Sequence, residues 1–228
     1  NVIVQVKNGP IDFQPREPFS PLFGAMRHTS VMPEFQITQE YLGFSHHLVF
    51  LAPLYEECLD SDTYVGGAGA TVARVTDGTL FGQEYTAVAG VANIGLDTNW
   101  CGHHFAQANW YAFGRLAWCD TLASEAIADE WLRLTFSHDD RCVVPLRRAM
   151  MLSREAAVDY MMPLGLHHLF AFGHHYGPEP WGYREGMRPD WLPSYYHRAD
   201  SSGIGFDRTV SGSNAVSQYA EPLCSIYG

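Results

Sequence analysis

Two short segments of this sequence place carboxylates beside groups that a hydrolytic reaction uses. The first is Lys7-Asn8-Gly9-Pro10-Ile11-Asp12-Phe13-Gln14. A Lys and an Asp just past a β-branched run can face one cleft, with the carboxylate as general base and the ammonium holding an anionic substrate group. The same pair also suits a loop salt bridge or a helix cap. The second segment is Glu34-Phe35-Gln36-Ile37-Thr38-Gln39-Glu40-Tyr41. Strand residues an even number apart share a face, so Glu34 and Glu40 could both point inward. Glu40 falls at the C-terminal end, where barrel enzymes carry their catalytic groups. Glu34 lies nearer the opposite end and reads as structural. Carboxylates on neighbouring strand ends suit glycoside hydrolysis or a metal site.

The histidines come in adjacent pairs, His46-His47, His103-His104, His167-His168 and His174-His175. Neighbours point to opposite faces of a strand and diverge by about 100° on a helix. No H-E-x-x-H spacing occurs. Packing histidines, with one or two polar contacts to a sugar, are therefore expected, and neither a metal nor a cofactor is. Aromatic rings stack on the apolar faces of sugars. Trp110, Trp118 and Trp131 lie in helical stretches and suit a core. Trp181 and Trp191 lie in a Gly- and Pro-rich loop and are the better stacking candidates.

Short strands must position these groups. Val2 to Val6, Glu34 to Ile37 and Val88 to Ile94 read as strands, separated by a loop over 10–30, a helix over 46–59 kinked at Pro53, and irregular chain over 66–86. Buried strands followed by long loops are the pattern of a parallel sheet or (β/α) barrel. Catalytic groups are then expected at Lys7–Asp12, at Thr38–Glu40 and after Ile94. From about residue 105 the pattern is helical: 105–118, a helix capped by Thr121 or Ser124 with Ile127, Trp131 and Leu134 on one face, and 149–162 closed by Pro163. Residues 173–196 read as a long ordered loop.

Composition narrows the function. Lys and Arg total 14 against 25 Asp and Glu, a formal net charge of −11, which argues against nucleic acid and anionic membrane as partners. No apolar run nears the roughly 20 residues that span a bilayer. The five cysteines are scattered without a C-x-x-C pair, so a disulfide framework is not expected and a reducing compartment is the simpler reading. The chain opens inside a strand without Met, which suggests a piece of a longer protein.

As long strings, the segments are more specific. Val4 to Pro18, Ser20 to Met26, Glu34 to Gly43, Gly90 to Gly95 and Ala106 to Trp118 closely resemble glycoside hydrolase family 67. So do Pro163 to His168, Gly173 to Pro178 and Gly203 to Thr209. The resemblance covers nearly the whole chain. It implies an α/β fold, with 1–104 supplying the C-terminal strands of a (β/α)8 TIM barrel and 105–228 part of a mainly α-helical domain that makes a homodimer. It implies inverting hydrolysis of the α-1,2 link between 4-O-methyl-D-glucuronic acid and the terminal xylose of oligosaccharides derived from glucuronoxylan. Carried over by motif, Asp12 and Glu40 are the base carboxylates and Lys7 binds the uronic acid. Trp191 is assigned to the leaving-group subsite from the composition of its loop. The general acid of the family is a Glu on an earlier strand, so neither Glu34 nor Glu17 is nominated. His46-His47 and Leu96 depart from what the resemblance implies near the matching loops. Another barrel glycosidase, a non-enzymatic carbohydrate-binding relative and a metal-dependent hydrolase remain as alternatives.

Overall fold

The computed structural model describes residues 2–10, 13–37, 48–92, 96, 98, 103–162, 178–203, 205 and 207–228. Three strands, β1 (Ile3–Lys7), β2 (Ser30–Gln36) and β3 (Ala89–Val91), form a parallel sheet in that order. The register sets Lys7 opposite Glu34, and Glu34 opposite Ala89. The ladder continues past the strand ends: Asn8 N donates to Glu34 O at 3.1 Å and Ile37 N to Val91 O at 2.8 Å.

The sheet has an apolar face and a polar one. Val6, Val31 and Phe35 are buried in the core, with Val4 packed against it. Alternation puts Gln5, Lys7, Glu34 and Gln36 on the opposite face, with Ile3 and Met32 toward its N-terminal part. There Gln5 Nε2 donates to Glu34 Oε2 at 2.5 Å. Gly90 sits on the apolar face, where a Cβ would lie 2.5 Å from Ile37 Cδ1 and 2.9 Å from the Phe113 ring. A glycine there lets the helix carrying Phe113 approach the sheet.

Helices α1 (Leu22–Ala25), α2 (Ala52–Asp60) and α3 (Val72–Thr76) lie between the strands in sequence. Beyond β3 come α4 (Ala106–Trp118), α5 (Ser124–Thr135) and α6 (Asp140–Met161), then the short α7 (Pro193–Tyr196) and α8 (Leu223–Tyr227). Side chains satisfy the free N–H groups at several helix starts. Thr71 Oγ1 accepts from Arg74 N at α3, and Asp139 from Arg141 N at α6. Glu56 of α2 accepts from Ser124 N at 2.9 Å and so caps α5 from outside. One buried cluster joins Val31 and Phe35 of the sheet to Leu51 and Tyr55, Ala112 of α4, Trp131 of α5 and Met150 of α6. The sheet and the long helices therefore share a core.

Several boundaries differ from expectation. β2 begins at Ser30, four residues earlier than predicted. Pro53 occupies the first turn of α2 and starts the helix, because a helix's first N–H groups have no intrahelical partner to lose. The expected loop over 66–86 contains α3. α6 begins at Asp140 and carries Pro145 inside it; its buried stripe, Val143, Met150, Ala157 and Val158, outweighs the one lost hydrogen bond. Leu134 is 69% exposed, and the buried face of α5 is Ile127, Ala128, Trp131 and Leu132. Trp118, assigned to a core, is 89% exposed at the last position of α4. Within 173–196, the part from 178 onward holds a 3-10 turn, Pro189–Trp191, and α7.

Candidate active site at the strand ends

Lys7 is the last residue of β1, on the sheet's polar face, and its Nζ lies 4.6 Å from the centroid of the Phe13 ring. Phe13 is buried and has a φ of 46°. A bulky residue rarely adopts this left-handed conformation, which persists only where the surroundings enforce it.

Those surroundings come from both halves of the chain. The Asn8 carbonyl accepts from Ser20 N at 2.9 Å and from Cys58 Sγ at 3.7 Å, which closes the loop after β1 on itself and onto α2. Glu17 is buried in this loop and takes Gln14 N at 3.2 Å. Its carboxyl lies against Gly9, where a Cβ would come within 1.8 Å of Glu17 Cδ. Arg154 of α6, 3% exposed, donates from Nε to Pro15 O at 2.9 Å and pairs through Nη1 with Glu57 of α2. Arg16 reaches Glu155 at 2.5 and 2.6 Å. Tyr219 donates to Phe19 O at 2.7 Å, its ring edge-on to Phe19.

The end of β2 is held in a similar way. Tyr55, fully buried on α2, donates its hydroxyl to Gln36 O at 2.7 Å. Burial raises its phenol pKa, so it stays a neutral donor. Farther on, Asn109 of α4 accepts from Leu51 N and donates to Val49 O, while Ser153 of α6 accepts from Phe50 N at 2.8 Å. The Cys58 thiol is pushed far up, first by burial and then by Glu17 and Glu57. A thiol held protonated is no nucleophile.

Of the nominated residues, Lys7 stands at the end of β1. Asp12 and Glu40 lie outside the described residues, as do all the paired histidines except His103 and His104. Among the described residues no group of His, Cys, Asp and Glu is placed to hold a metal ion. Trp191 is 46% exposed, with the Arg188 guanidinium 5.4 Å from its ring centroid. Trp181 lines a cavity of about 500 Å³ with Tyr183, Ser194, Asp200 and Ser202. Sequence reasoning missed Arg154, Asn109, Ser153 and Tyr219. A buried Arg on the apolar stripe of α6 was the one available signal.

The sequence pattern of the glycosyl hydrolase family 67 middle domain matches residues 1–100. That of the glycosyl hydrolase family 67 C-terminus matches residues 101–228. The chain belongs to glycoside hydrolase family 67. It is 43% identical over its whole length to alpha-glucuronidase A of Emericella nidulans, of which it covers 26%. It is 41% identical to a probable alpha-glucuronidase A of Aspergillus flavus and 38% to one of Aspergillus niger, covering 27% of each. This family 67 chain thus spans about a quarter of the length of the curated relatives it matches. No described helix is long and apolar enough to cross a membrane.

Proposed function

We propose that this chain contributes the base side of an α-glucuronidase active site, hydrolysing the α-1,2 link between (4-O-methyl-)D-glucuronic acid and the terminal xylose of xylooligosaccharides with inversion. The observation that carries the reading is the whole-length similarity to alpha-glucuronidase A at 43% identity. The sheet supports it. Its strands are parallel, in sequential order, with one face on helices and the other polar, as in a (β/α)8 barrel entered at its C-terminal end. The division falls at 104/105, with the helical half supporting the barrel and forming a homodimer.

In this mechanism Asp12 and Glu40 hold the attacking water, and one of them removes its proton. Two adjacent carboxylates raise one another's pKa, which improves the base near neutrality. Lys7 stands at a strand end as a cation for the uronate. Trp191 offers a half-exposed ring to the xylose on the leaving side. The proton donor comes from an acid outside these 228 residues, about 6.5–9.5 Å from the base, which leaves room for the water.

The test uses full-length enzyme carrying this sequence. Asp12→Asn and Glu40→Gln are each expected to lower kcat by a factor on the order of 100 or more, with the oligosaccharide still bound. Proton NMR of the first product is expected to show the β anomer. An initial α anomer, or full activity in both variants, would rule out the assignment.

A further inference from the structure

We infer that the cavity between Trp181 and Asp200 binds a neutral sugar, a further xylose unit of the oligosaccharide backbone, on the leaving side of the scissile bond. The inference rests on the reading of Trp191 given above and extends it by naming where the chain goes next.

The cavity has the size and the lining of a small-ligand site. Its volume is about 500 Å³, inside the range of roughly 300–1,000 Å³ that such ligands fill. Trp181 and Tyr183 line it and are 75% and 72% exposed. Two large rings left in solvent beside one concave surface offer apolar area for a ligand to cover. The C–H faces of a pyranose suit such rings, and its hydroxyls need polar neighbours. Ser194, Asp200 and Ser202 supply these.

Both walls are tied by their own hydrogen bonds. Gly182 N donates to Glu179 O at 2.9 Å, closing a turn with Pro180 second and Trp181 third. Opposite in sequence, Asp200 N donates to Gly203 O at 2.9 Å. Asp200 Oδ1 accepts from Ser202 N at 2.8 Å and from Ser202 Oγ at 2.5 Å. These bonds, the hydroxyl's first, hold the Asp200 carboxyl below its ordinary range. It is therefore an anion at neutral pH, and a carboxylate takes sugar hydroxyls in charge-assisted hydrogen bonds. Among the described residues that line the cavity, none carries a positive charge. A uronate would meet Asp200 with no cation beside it, whereas a neutral sugar meets only rings and acceptors. Charge thus separates this cavity from the Lys7 end of the sheet.

Position in the chain makes the cavity reachable. Ser194 follows Trp191 by three residues, across the junction of the 3-10 turn and α7. Three residues span at most about 11 Å. An oligosaccharide stacked on Trp191 therefore has the cavity within reach of its next units.

The experiment titrates undecorated xylotetraose into full-length enzyme by calorimetry, and measures kcat/KM on glucuronic-acid-decorated substrates from xylobiose to xylohexaose. Trp181→Ala and Tyr183→Ala are each expected to weaken xylotetraose binding by about 10-fold. Both rings are exposed, so their removal leaves the core intact. In the parent, kcat/KM is expected to rise with chain length, and Trp181→Ala to flatten the rise. Trp118→Ala, which removes an exposed ring outside this cavity, is expected to match the parent. Unchanged xylotetraose affinity in Trp181→Ala overturns the inference, as does an equal loss in Trp118→Ala or a parent kcat/KM that ignores chain length. If no substrate of any length releases glucuronic acid, the proposed function fails. The titration then still decides the cavity: affinity lost in Trp181→Ala keeps a neutral-sugar site, and affinity retained removes it.

Discussion

Asn109 and Leu51 meet through a buried hydrogen bond of 2.8 Å, from the Leu51 N–H to the side-chain oxygen of Asn109. The same amide donates to Val49 O at 3.0 Å. A single side chain on α4 thus treats the stretch before α2 as a neighbouring strand would, by taking one donor and one acceptor.

Replacing Asn109 by Leu should therefore be costly although the shape is nearly kept. It strands two buried backbone groups, each worth about 1–3 kcal/mol. Urea unfolding of full-length enzyme is expected to show a lower midpoint. A stability loss under about 1 kcal/mol would mean that other groups satisfy Val49 and Leu51.

Gly9 and Glu17 should behave as a coupled pair. The Cβ of Gly9→Ala would overlap the Glu17 carboxyl, so the single variant is expected to lose both stability and activity. Adding Glu17→Ala removes the obstacle. The double variant should recover stability over Gly9→Ala, giving non-additivity of about 0.5–3 kcal/mol in a double-mutant cycle. Strict additivity would contradict the close contact.

Asp129 provides a pH test. Its carboxyl is held below the usual range by the hydrogen bond from Arg133, with the charges of Arg133 and Arg147 adding to it. Arg147 lies on α6 and reaches Asp129 at 2.9 Å, so the pair ties α5 to α6. A carboxylate with a depressed folded pKa stabilises the native state above its unfolded value of about 3.9. That contribution is lost as pH falls through the folded value. Asp129→Asn should accordingly melt below the parent near pH 6, and the gap should close toward about pH 3. A gap that stays constant with pH would assign the loss to packing.

The sequence revealed the fold where local pattern and burial agree. Ile3 to Val6 is β-branched and appears as a strand, and the apolar stripe of Ile127 and Trp131 forms the buried face of α5. Expectation failed where position within an element decides the outcome. Pro53 breaks a helix in its interior and begins one at its first turn. Leu134 shares the helical period of Ile127 and Trp131 yet is exposed next to the end of α5, and Trp118 ends α4 off the buried stripe of Ala108, Ala112 and Leu116. The place of Lys7 at a strand end was legible because an apolar, β-rich run leads into it. Arg154 and Tyr219 were not, because their partners Pro15 and Phe19 lie 139 and 200 residues away. Nothing local to either residue encodes such a contact.

Ser153, Arg154 and Glu155 are consecutive on α6. They hold Phe50, Pro15 and Arg16, which belong to segments following two different strands. The consequence concerns interchange between relatives. A chimera that takes its first hundred residues from this chain and the remainder from a cousin inherits its loop anchors from the cousin. Whether such a hybrid keeps those anchors depends on three adjacent codons far along the sequence from the loops they hold. The practical unit of exchange in this protein is therefore a loop together with its turn of α6, and the two halves are not interchangeable cassettes.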